Sequence, residues 1–239
     1  MRFFRRKRLL LPLLAFALSG VIAAESLHAC RTIMTAGQAA EAQALSHQVV
    51  LDAGHGGFDG GAVGTNGVPE KAINLAVTQQ TAAIASLAGF AVTTVRDTDI
   101  AVNDEGLSTV RERKTSDIRN RMALLEKTPA ATFVSIHQNH FSQPSCSGTQ
   151  VFYSPNDPRS RLLAQRLQER IAGPLQPGNE REIKPAEKNL YILYHAQSPA
   201  VLVECGFLSN PAECERLCDP SYQQQLAFCI TQALIEQAL

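Results

Sequence analysis

Short runs of β-branched and aliphatic residues alternate along the chain with segments whose apolar positions recur at helical spacing. The runs predict strands at residues 48–52, 91–96, 132–137, 149–153 and 200–204. The segments between and after them predict helices at residues 69–87, 109–126, 158–171, from 210 onward and 219–238. Because strands that alternate with helices usually form parallel sheets, we predict a single α/β domain. Its mostly parallel, twisted sheet of about six strands is expected to carry helices on both faces.

Capping residues support several of these helix boundaries. Asp157 and Asp219 each precede a proline, which suits the first turn of a helix. The stretch from Asn210 to Glu213 predicts a capping box, in which each side chain binds the other residue's backbone N–H. Residues 172–188 contain three prolines and predict a surface loop that borders the substrate groove.

The first 24 residues have a different character from the rest of the chain. Five basic residues at positions 2–8 precede an apolar run at residues 9–24 that contains no charge. As a helix this run spans roughly 24 Å, less than the ~30 Å hydrocarbon core of a membrane. We predict an export signal at residues 1–24, and both a cleaved peptide and an N-terminal membrane anchor remain open. Residues 25–46 are predicted to form a linker, and residues 47–239 the catalytic domain.

Charge and cysteine content exclude some partners and leave others open. The 22 basic and 22 acidic residues balance, so nucleic acid is not an expected partner. Membrane contact is expected only through the N-terminal segment. The six cysteines show no C-x-x-C pair, which favours buried or half-buried thiols over a disulfide framework. Their redox state and the oligomeric state of the protein are not determined by the sequence.

Four chemically capable residues are predicted to lie at one rim of the sheet. His55 follows the first strand and Glu70 opens the helix after it. His137 ends the third strand and Glu204 ends the last one. Ligands of open α/β sheets bind outside the carboxyl ends of the strands, so these side chains are expected to meet.

Each of these residues also has an ordinary interpretation. His55 can be a turn residue, Glu70 can complement a helix dipole, and His137 can be a hydrogen-bonded core histidine. Together, two imidazoles and one carboxylate form a common catalytic zinc set that leaves a position open for water. Glu204 follows a buried strand, where a carboxylate needs a partner or a function, and acid–base catalysis suits it better than metal binding.

Four motifs carry a resemblance to a known family. They are Leu51–Gly57, Val68–Lys71, Val134–Asn139 and Val203–Asn210. In this order they closely resemble the zinc N-acetylmuramoyl-L-alanine amidases of the Amidase_3 family, over residues 48–239. The resemblance implies one Zn²⁺ held by His55, Glu70 and His137, with Glu204 as the catalytic glutamate. It also implies that the substrate is peptidoglycan, cut between N-acetylmuramic acid and the L-alanine of the stem peptide.

Within the family, the chain is most similar to single-domain amidases that act on spore cortex and help to form muramic δ-lactam. The layout of a signal plus one domain and residues 113–121 support this. Such an enzyme is exported to the cell wall or the outer face of the membrane. It can depend on a protein activator or on a partner hydrolase or deacetylase. A vegetative cell-separation amidase, a zinc peptidase acting within the stem peptide and an inactive wall-binding module remain alternatives.

Three further residues near the motifs need an interpretation. His140 stands where the family often has a small residue, and its spacing from His137 can be mistaken for a pair of metal ligands. We predict instead that His140 and Asn139 contact substrate, although a structural role suits Asn139 equally well. Cys205 is next to Glu204, but no His–Asn arrangement nearby supports it as a thiol nucleophile.

Overall fold

A computed structural model describes residues 47–238 and five residues of the preceding segment, His28, Arg31, Thr32, Met34 and Thr35. The signal or anchor predicted at residues 1–24 lies outside the described residues, as does most of the linker predicted at 25–46. The five described linker residues are helical and exposed. In the described part of the chain, no helix has the length and apolar character needed to cross a membrane. The division into signal, linker and domain therefore stays a prediction.

The described strands and helices follow the predicted alternation. The strands are β1 (Gln48–Ala53), β2 (Ala91–Thr94), β3 (Thr132–Asn139), β4 (Gln150–Tyr153), β5 (Lys184–Pro185) and β6 (Ala200–Phe207). The helices of residues 47–238 are α1 (Glu70–Leu87), α2 (Val110–Glu126), α3 (Pro158–Leu175), α4 (Tyr191–His195), α5 (Pro211–Cys218) and α6 (Pro220–Ala238).

The six strands form one sheet in the order β2-β1-β3-β6-β4-β5. Strands β1, β2, β3 and β6 run parallel to one another. Strand β4 runs antiparallel to β6 and parallel to the short strand β5. The predicted α/β fold with a mostly parallel sheet of about six strands is thus confirmed.

The two faces of the sheet bury different sets of side chains. One face packs its aliphatic residues against α1, α3, α5 and α6. The other face places Val50, Phe133 and Leu202 against α2 and α4. This arrangement confirms the prediction of helices on both faces.

The second face changes character along its strands. Side chains alternate between the faces of a sheet, so every second residue of a strand lies on this face. Along β1, β3 and β6 the residues on this face change from apolar to polar toward the carboxyl end of each strand. These residues are Asp52 in β1, Ser135 and His137 in β3, and Glu204 in β6. In the antiparallel strand β4, Gln150 is paired with Glu204 and so joins them. This polar end of the face carries the candidate site.

The predicted loop at residues 172–188 is partly wrong. Helix α3 continues beyond the predicted end at Ile171, through Pro174 to Leu175, and residues 184–185 form β5. Tertiary contacts explain the longer helix. The Gln176 side chain, at its C-terminal end, accepts from the Thr149 N–H at 2.7 Å and donates to the Cys205 carbonyl at 2.9 Å. Helix α4 was also not predicted.

The predicted capping box at α5 is half correct. The Asn210 side chain accepts from the backbone N–H groups of Ala212 and Glu213, as expected. The Glu213 carboxylate instead accepts from the N–H groups of Gly148 at 3.0 Å and Phe207 at 2.8 Å. Buried backbone donors from distant segments thus take the place of the local one, because an unpaired N–H is costly inside the protein.

Candidate metal centre and active site

His55, Glu70 and His137 meet at the carboxyl ends of β1 and β3. The Glu70 carboxylate lies between the two rings, with one oxygen 3.1 Å from His55 Nε2 and the other 3.0 Å from His137 Nδ1. One ligand atom from each of the three residues lies within 4.8 Å of the others. In residues 47–238 this is the only such group of metal-ligating side chains. The structure thus brings together the three residues predicted to bind metal.

The loop between β1 and α1 holds His55 in an uncommon backbone conformation. Its φ of 62° makes it the only described residue other than glycine with a positive φ. Such a conformation costs of order 1–3 kcal/mol and persists only where surrounding contacts impose it. Here the Arg121 guanidinium donates to the His55 carbonyl at 2.7 Å. This strain at a candidate ligand is typical of a functional position.

Two glycines make room for the cluster. A Cβ on Gly54 would lie 2.2 Å from the His137 ring, and one on Gly61 would lie 2.4 Å from a Glu70 carboxylate oxygen. Any larger residue at either position would displace one of the three side chains. The glycine-rich loop therefore serves the close packing of the cluster as well as the turn.

The electrostatics of the cluster favour a positive charge. Burial lowers the pKa of His55, but hydrogen bonds to Glu70 and Asp59 outweigh it and raise that pKa to about 9. Burial raises the pKa of Glu70, but hydrogen bonds to His137 and His55 hold it well below its usual range. An ionised carboxylate between two imidazoles is a suitable donor set for a divalent cation such as zinc.

Glu204 lies beside the cluster and is paired in register with His137 across β3 and β6. Burial raises the pKa of its carboxyl group to about 7. One of its oxygens, Oε2, is buried and has no hydrogen-bond partner. A buried carboxylate oxygen without a partner is costly, so its persistence indicates a role with substrate, water or cation.

Asp59 is a site residue that the sequence did not reveal. Its carboxylate lies 3.0 Å from His55 Nδ1, and its other oxygen lies 3.0 Å from the Lys114 ammonium. A carboxylate on the second ring nitrogen fixes the orientation of a metal-binding histidine and increases its basicity. The spacing from His55 to Asp59 within one glycine-rich loop was the available signal.

Asn74 and Gln138 connect the cluster to the sheet beneath it. The Asn74 amide donates to Glu70 Oε1 at 3.1 Å and to the Gly54 carbonyl at 3.2 Å. Its oxygen accepts from the Gln138 side chain at 3.1 Å. All are buried, so Glu70 is held by a defined network. Asn74 lies one helical turn after Glu70, and only the fold identifies it as part of this network.

A second cluster lies near the first and is formed by the buried residues Asp52, Ser135 and Arg121 and the half-buried Asp117. Arg121 pairs with both Asp52 and Asp117. Ser135 donates to the other Asp52 oxygen at 2.7 Å. Burial raises the pKa of Asp52, but Arg121 and Ser135 outweigh it and keep that pKa below its usual value. We call this group the Asp52–Arg121 cluster.

The remaining predicted residues lie at the edge or outside the site. Asn139 is half-buried at the end of β3, and its carbonyl accepts from the Leu208 N–H at 2.8 Å. His140 is exposed and lies outside the metal-ligating group. Cys205 is fully buried, and burial raises its pKa to about 12, so the geometry does not favour a thiol nucleophile.

The five cysteines of residues 47–238 are free thiols. Cys205, Cys214 and Cys229 are buried, whereas Cys146 and Cys218 are half-buried. This agrees with the expected buried or half-buried thiols. Cys30 lies outside the described residues.

A cleft of about 180 Å³ adjoins the cluster between the sheet and helices α2 and α4. Its walls include His55, His137 and Arg121 on the polar side and Ile118, Leu190 and Tyr191 on the apolar side. The cluster is therefore accessible from a groove that can hold a ligand with both polar and apolar parts.

The fold and the grouped side chains place this chain in a class of α/β proteins that have a candidate catalytic metal centre at the carboxyl end of a mostly parallel sheet. The particular family follows from comparison with known proteins. The family model described as N-acetylmuramoyl-L-alanine amidase, Amidase_3, matches residues 49–236. The chain belongs to this family and is a peptidoglycan amidase.

Individual relatives agree with this assignment. The germination-specific N-acetylmuramoyl-L-alanine amidase of Bacillus subtilis is 32% identical over 192 residues, covering 80% of each chain. The solved CwlD amidase of Clostridioides difficile, in complex with the GerS lipoprotein, is 35% identical. It superposes with a TM-score of 0.77 over 80% of this chain and 98% of that one. AmiC2 of Nostoc punctiforme is 28% identical with a TM-score of 0.66, covering 80% and 96%.

Proposed function

We propose that this chain is a zinc-dependent N-acetylmuramoyl-L-alanine amidase of spore-cortex peptidoglycan. It cleaves the amide between the lactyl group of muramic acid and L-alanine. The observation that carries the proposal is the unpartnered, buried Glu204 carboxylate oxygen beside three grouped metal-ligating side chains.

His55, Glu70 and His137 would hold the zinc, with Asp59 orienting His55. The donor set fits, because two imidazoles and a carboxylate form a known catalytic arrangement, and the absence of a Cβ at Gly54 and Gly61 leaves room for His137 and Glu70 to come together. Once bound, zinc supplies a Lewis acid that polarises the scissile carbonyl and strengthens water as a nucleophile.

Glu204 moves the proton in this mechanism. Its carboxylate accepts a proton from the attacking water as the new carbon–oxygen bond forms. It then donates that proton to the alanine nitrogen as the carbon–nitrogen bond breaks. The products are a glycan with a free lactyl carboxyl group and a stem peptide with a free amino terminus. In the protein without a metal ion, burial raises the pKa of this carboxyl group to about 7, and a raised carboxyl pKa favours the donation of the proton in the second half of the transfer.

The spore-cortex role and the other finer assignments rest on several supports. The germination-specific amidase and the CwlD amidase are among the relatives that share more than 30% identity. The GerS complex of CwlD supports a protein partner for this chain as well. The charged N-terminal segment supports export, so the enzyme would act outside the cytoplasm. Asn139 and His140, at the groove end of β3, are proposed to contact substrate.

Digestion of purified peptidoglycan tests the proposal. The zinc-loaded full chain is incubated with spore cortex and with vegetative sacculi, and the released fragments are identified by mass spectrometry. Stem peptides that begin with free L-alanine, released faster from cortex, would support it. Cleavage within the stem peptide would indicate a peptidase, and faster release from vegetative sacculi would indicate a cell-separation amidase. Binding without release would indicate an inactive wall-binding module.

A further inference from the structure

Arg181 lies beside the candidate active site at its β4 edge. Its Nε donates to the Ser147 carbonyl at 2.7 Å, and Nη1 lies 3.4 Å from the Gln150 side-chain oxygen. Its guanidinium carbon lies 4.5 Å from the centre of the Phe207 ring. These contacts orient a planar group that has five N–H donors, and they use only some of those donors.

Arg181 has no acidic partner in residues 47–238. None of the ion pairs in this part of the chain involves it, and it is only half-buried. The neighbouring Arg216 is different, because it lies 3.5 Å from the Glu213 carboxylate. A fixed guanidinium without a carboxylate is free to bind one from a ligand.

Strand register relates Arg181 to the reacting centre. Gln150, which Arg181 contacts, is the cross-strand partner of Glu204, and Phe207, which it covers, is the partner of Asn139. Adjacent strands are about 4.8 Å apart, so Gln150 is one strand spacing from Glu204. Arg181 is therefore within reach of a substrate group that is attached close to the scissile amide, the bond on which Glu204 is proposed to act.

Two clefts near the site are lined by different side chains. Arg181 lines a cleft of about 630 Å³ whose other walls include Ser147 and Asn179 and the charged residues Glu180, Glu213 and Arg216. The cleft beside His55 and His137 combines its polar groups with apolar side chains such as Leu190 and Tyr191. Glu213 and Arg216 of the first cleft are paired with each other, which leaves the Arg181 cation available to a carboxylate of the substrate.

The substrate offers a matching group at a suitable distance. In peptidoglycan, the residue that follows L-alanine carries a free carboxyl group or its amide. An extended chain spans about 3.3–3.6 Å per residue, so this group lies about 7 Å from the scissile bond. Arginine binds carboxylates through two parallel N–H donors, whereas a neutral amide offers only one acceptor oxygen.

We propose that Arg181 binds the free carboxylate of the second stem-peptide residue and selects the acid over its amide. The proposal rests on the proposed amidase function, since it names the part of the substrate that this side of the site recognises. Arg181 is then a specificity-determining residue at the peptide side of the groove.

The test compares two muramoyl peptides that differ at one group only. In one peptide the second stem-peptide residue carries a free carboxylate, and in the other it carries the amide. Binding is measured by titration calorimetry on the zinc-loaded full chain carrying Glu204→Gln, which is expected to prevent turnover. The parent should bind the acid about 10- to 100-fold more tightly, as expected for charge-assisted hydrogen bonds. Addition of Arg181→Gln should abolish this preference by weakening binding of the acid alone, and Arg181→Lys should keep part of it.

Arg161→Gln is the matched control. It removes the same charge from an exposed position on α3, which packs on the opposite face of the sheet, and should leave the acid preference intact. An acid preference that survives Arg181→Gln, or a parent without any preference, would overturn the proposal. If Arg181→Gln misfolds, the folded Arg181→Lys variant provides the test. Equal affinity of that variant for the acid and the amide would also overturn the proposal.

Turnover by the enzyme with intact Glu204 provides a separate readout. If the enzyme releases no peptide from either compound but still binds the acid more tightly, the amidase function is contradicted and the carboxylate site is not. The two proposals can therefore fail independently.

Discussion

Two charged clusters lie at the same end of the sheet, and they differ in how completely their groups are paired. In the Asp52–Arg121 cluster, both carboxylates face the guanidinium, and the second oxygens of Asp52 and Asp117 accept from Ser135 and the Val102 N–H. Beside the metal-ligating group, one Glu204 oxygen has no partner. The paired cluster holds its charged groups in a complete network, whereas the unpaired Glu204 carboxylate is the group that the proposed function assigns to proton transfer.

Glu204→Gln tests the chemical half of this comparison and should have the largest effect. The amide keeps the shape of the side chain but cannot accept the proton, so kcat should fall about 10²- to 10⁴-fold. Zinc content measured by atomic absorption should stay at the parent level. The midpoint of denaturant unfolding should not decrease, because the change removes a buried charge. Loss of zinc together with activity would make Glu204 a ligand and contradict the assigned role.

Arg121→Met tests the structural half. It leaves the buried Asp52 carboxylate and the half-buried Asp117 carboxylate without their cation, and breaking a buried pair in this way costs about 3–5 kcal/mol. The free energy of unfolding from urea titration should decrease by this amount. Adding Asp52→Asn should recover part of the loss, because the second change removes one of the uncompensated charges. Equal stability of the single and double variants would show that Asp52 is not the group that needs Arg121.

Asp59→Asn tests the contact between Asp59 and His55, in which Asp59 is proposed to orient a metal ligand without binding the metal itself. The amide holds His55 Nδ1 less strongly, so zinc affinity should fall about 10- to 100-fold in competition with a chelator. Lys114→Met is the control. Its half-exposed ammonium contacts the other Asp59 oxygen, and its removal should change zinc affinity much less. An unchanged affinity in Asp59→Asn would contradict the orienting role.

His140→Ala should have the smallest effect. The side chain is exposed and lies outside the metal-ligating group, so zinc content should not change. If it donates one hydrogen bond to substrate, KM should rise about 2- to 10-fold with little change in kcat. A fall in zinc content would instead support the alternative that His137 and His140 act as a pair of ligands.

Much of the fold was predictable because local patterns and tertiary packing agree. The apolar runs of β1, β3 and β6 are bounded by turn residues. Each predicted helix has a capping residue, a proline or a glycine at one end. The errors occur where distant groups compete with local ones. Glu213 binds the Gly148 and Phe207 N–H groups in place of its own helix terminus. Gln176 anchors the end of α3, which Gly173 and Pro174 would otherwise terminate earlier.

The candidate site was predictable only in part. His55, Glu70, His137 and Glu204 were predicted because strand ends and helix starts converge at one rim of a parallel sheet. Asp59, Asn74 and Arg121 were missed, although each holds a member of the site or its loop. Their roles depend on which side of a loop or helix faces the site, and residue type alone does not reveal this.

The sequence by itself determined the α/β class and the four residues brought to one rim, because strand periodicity and chain order are local properties. Only the tertiary structure decided which charges are paired and which carboxylate is left without a partner. Pairing depends on side chains that are up to 83 residues apart, as in the bond from Ser135 to Asp52. No local pattern specifies such a contact, since it arises only when strands from distant parts of the chain become neighbours.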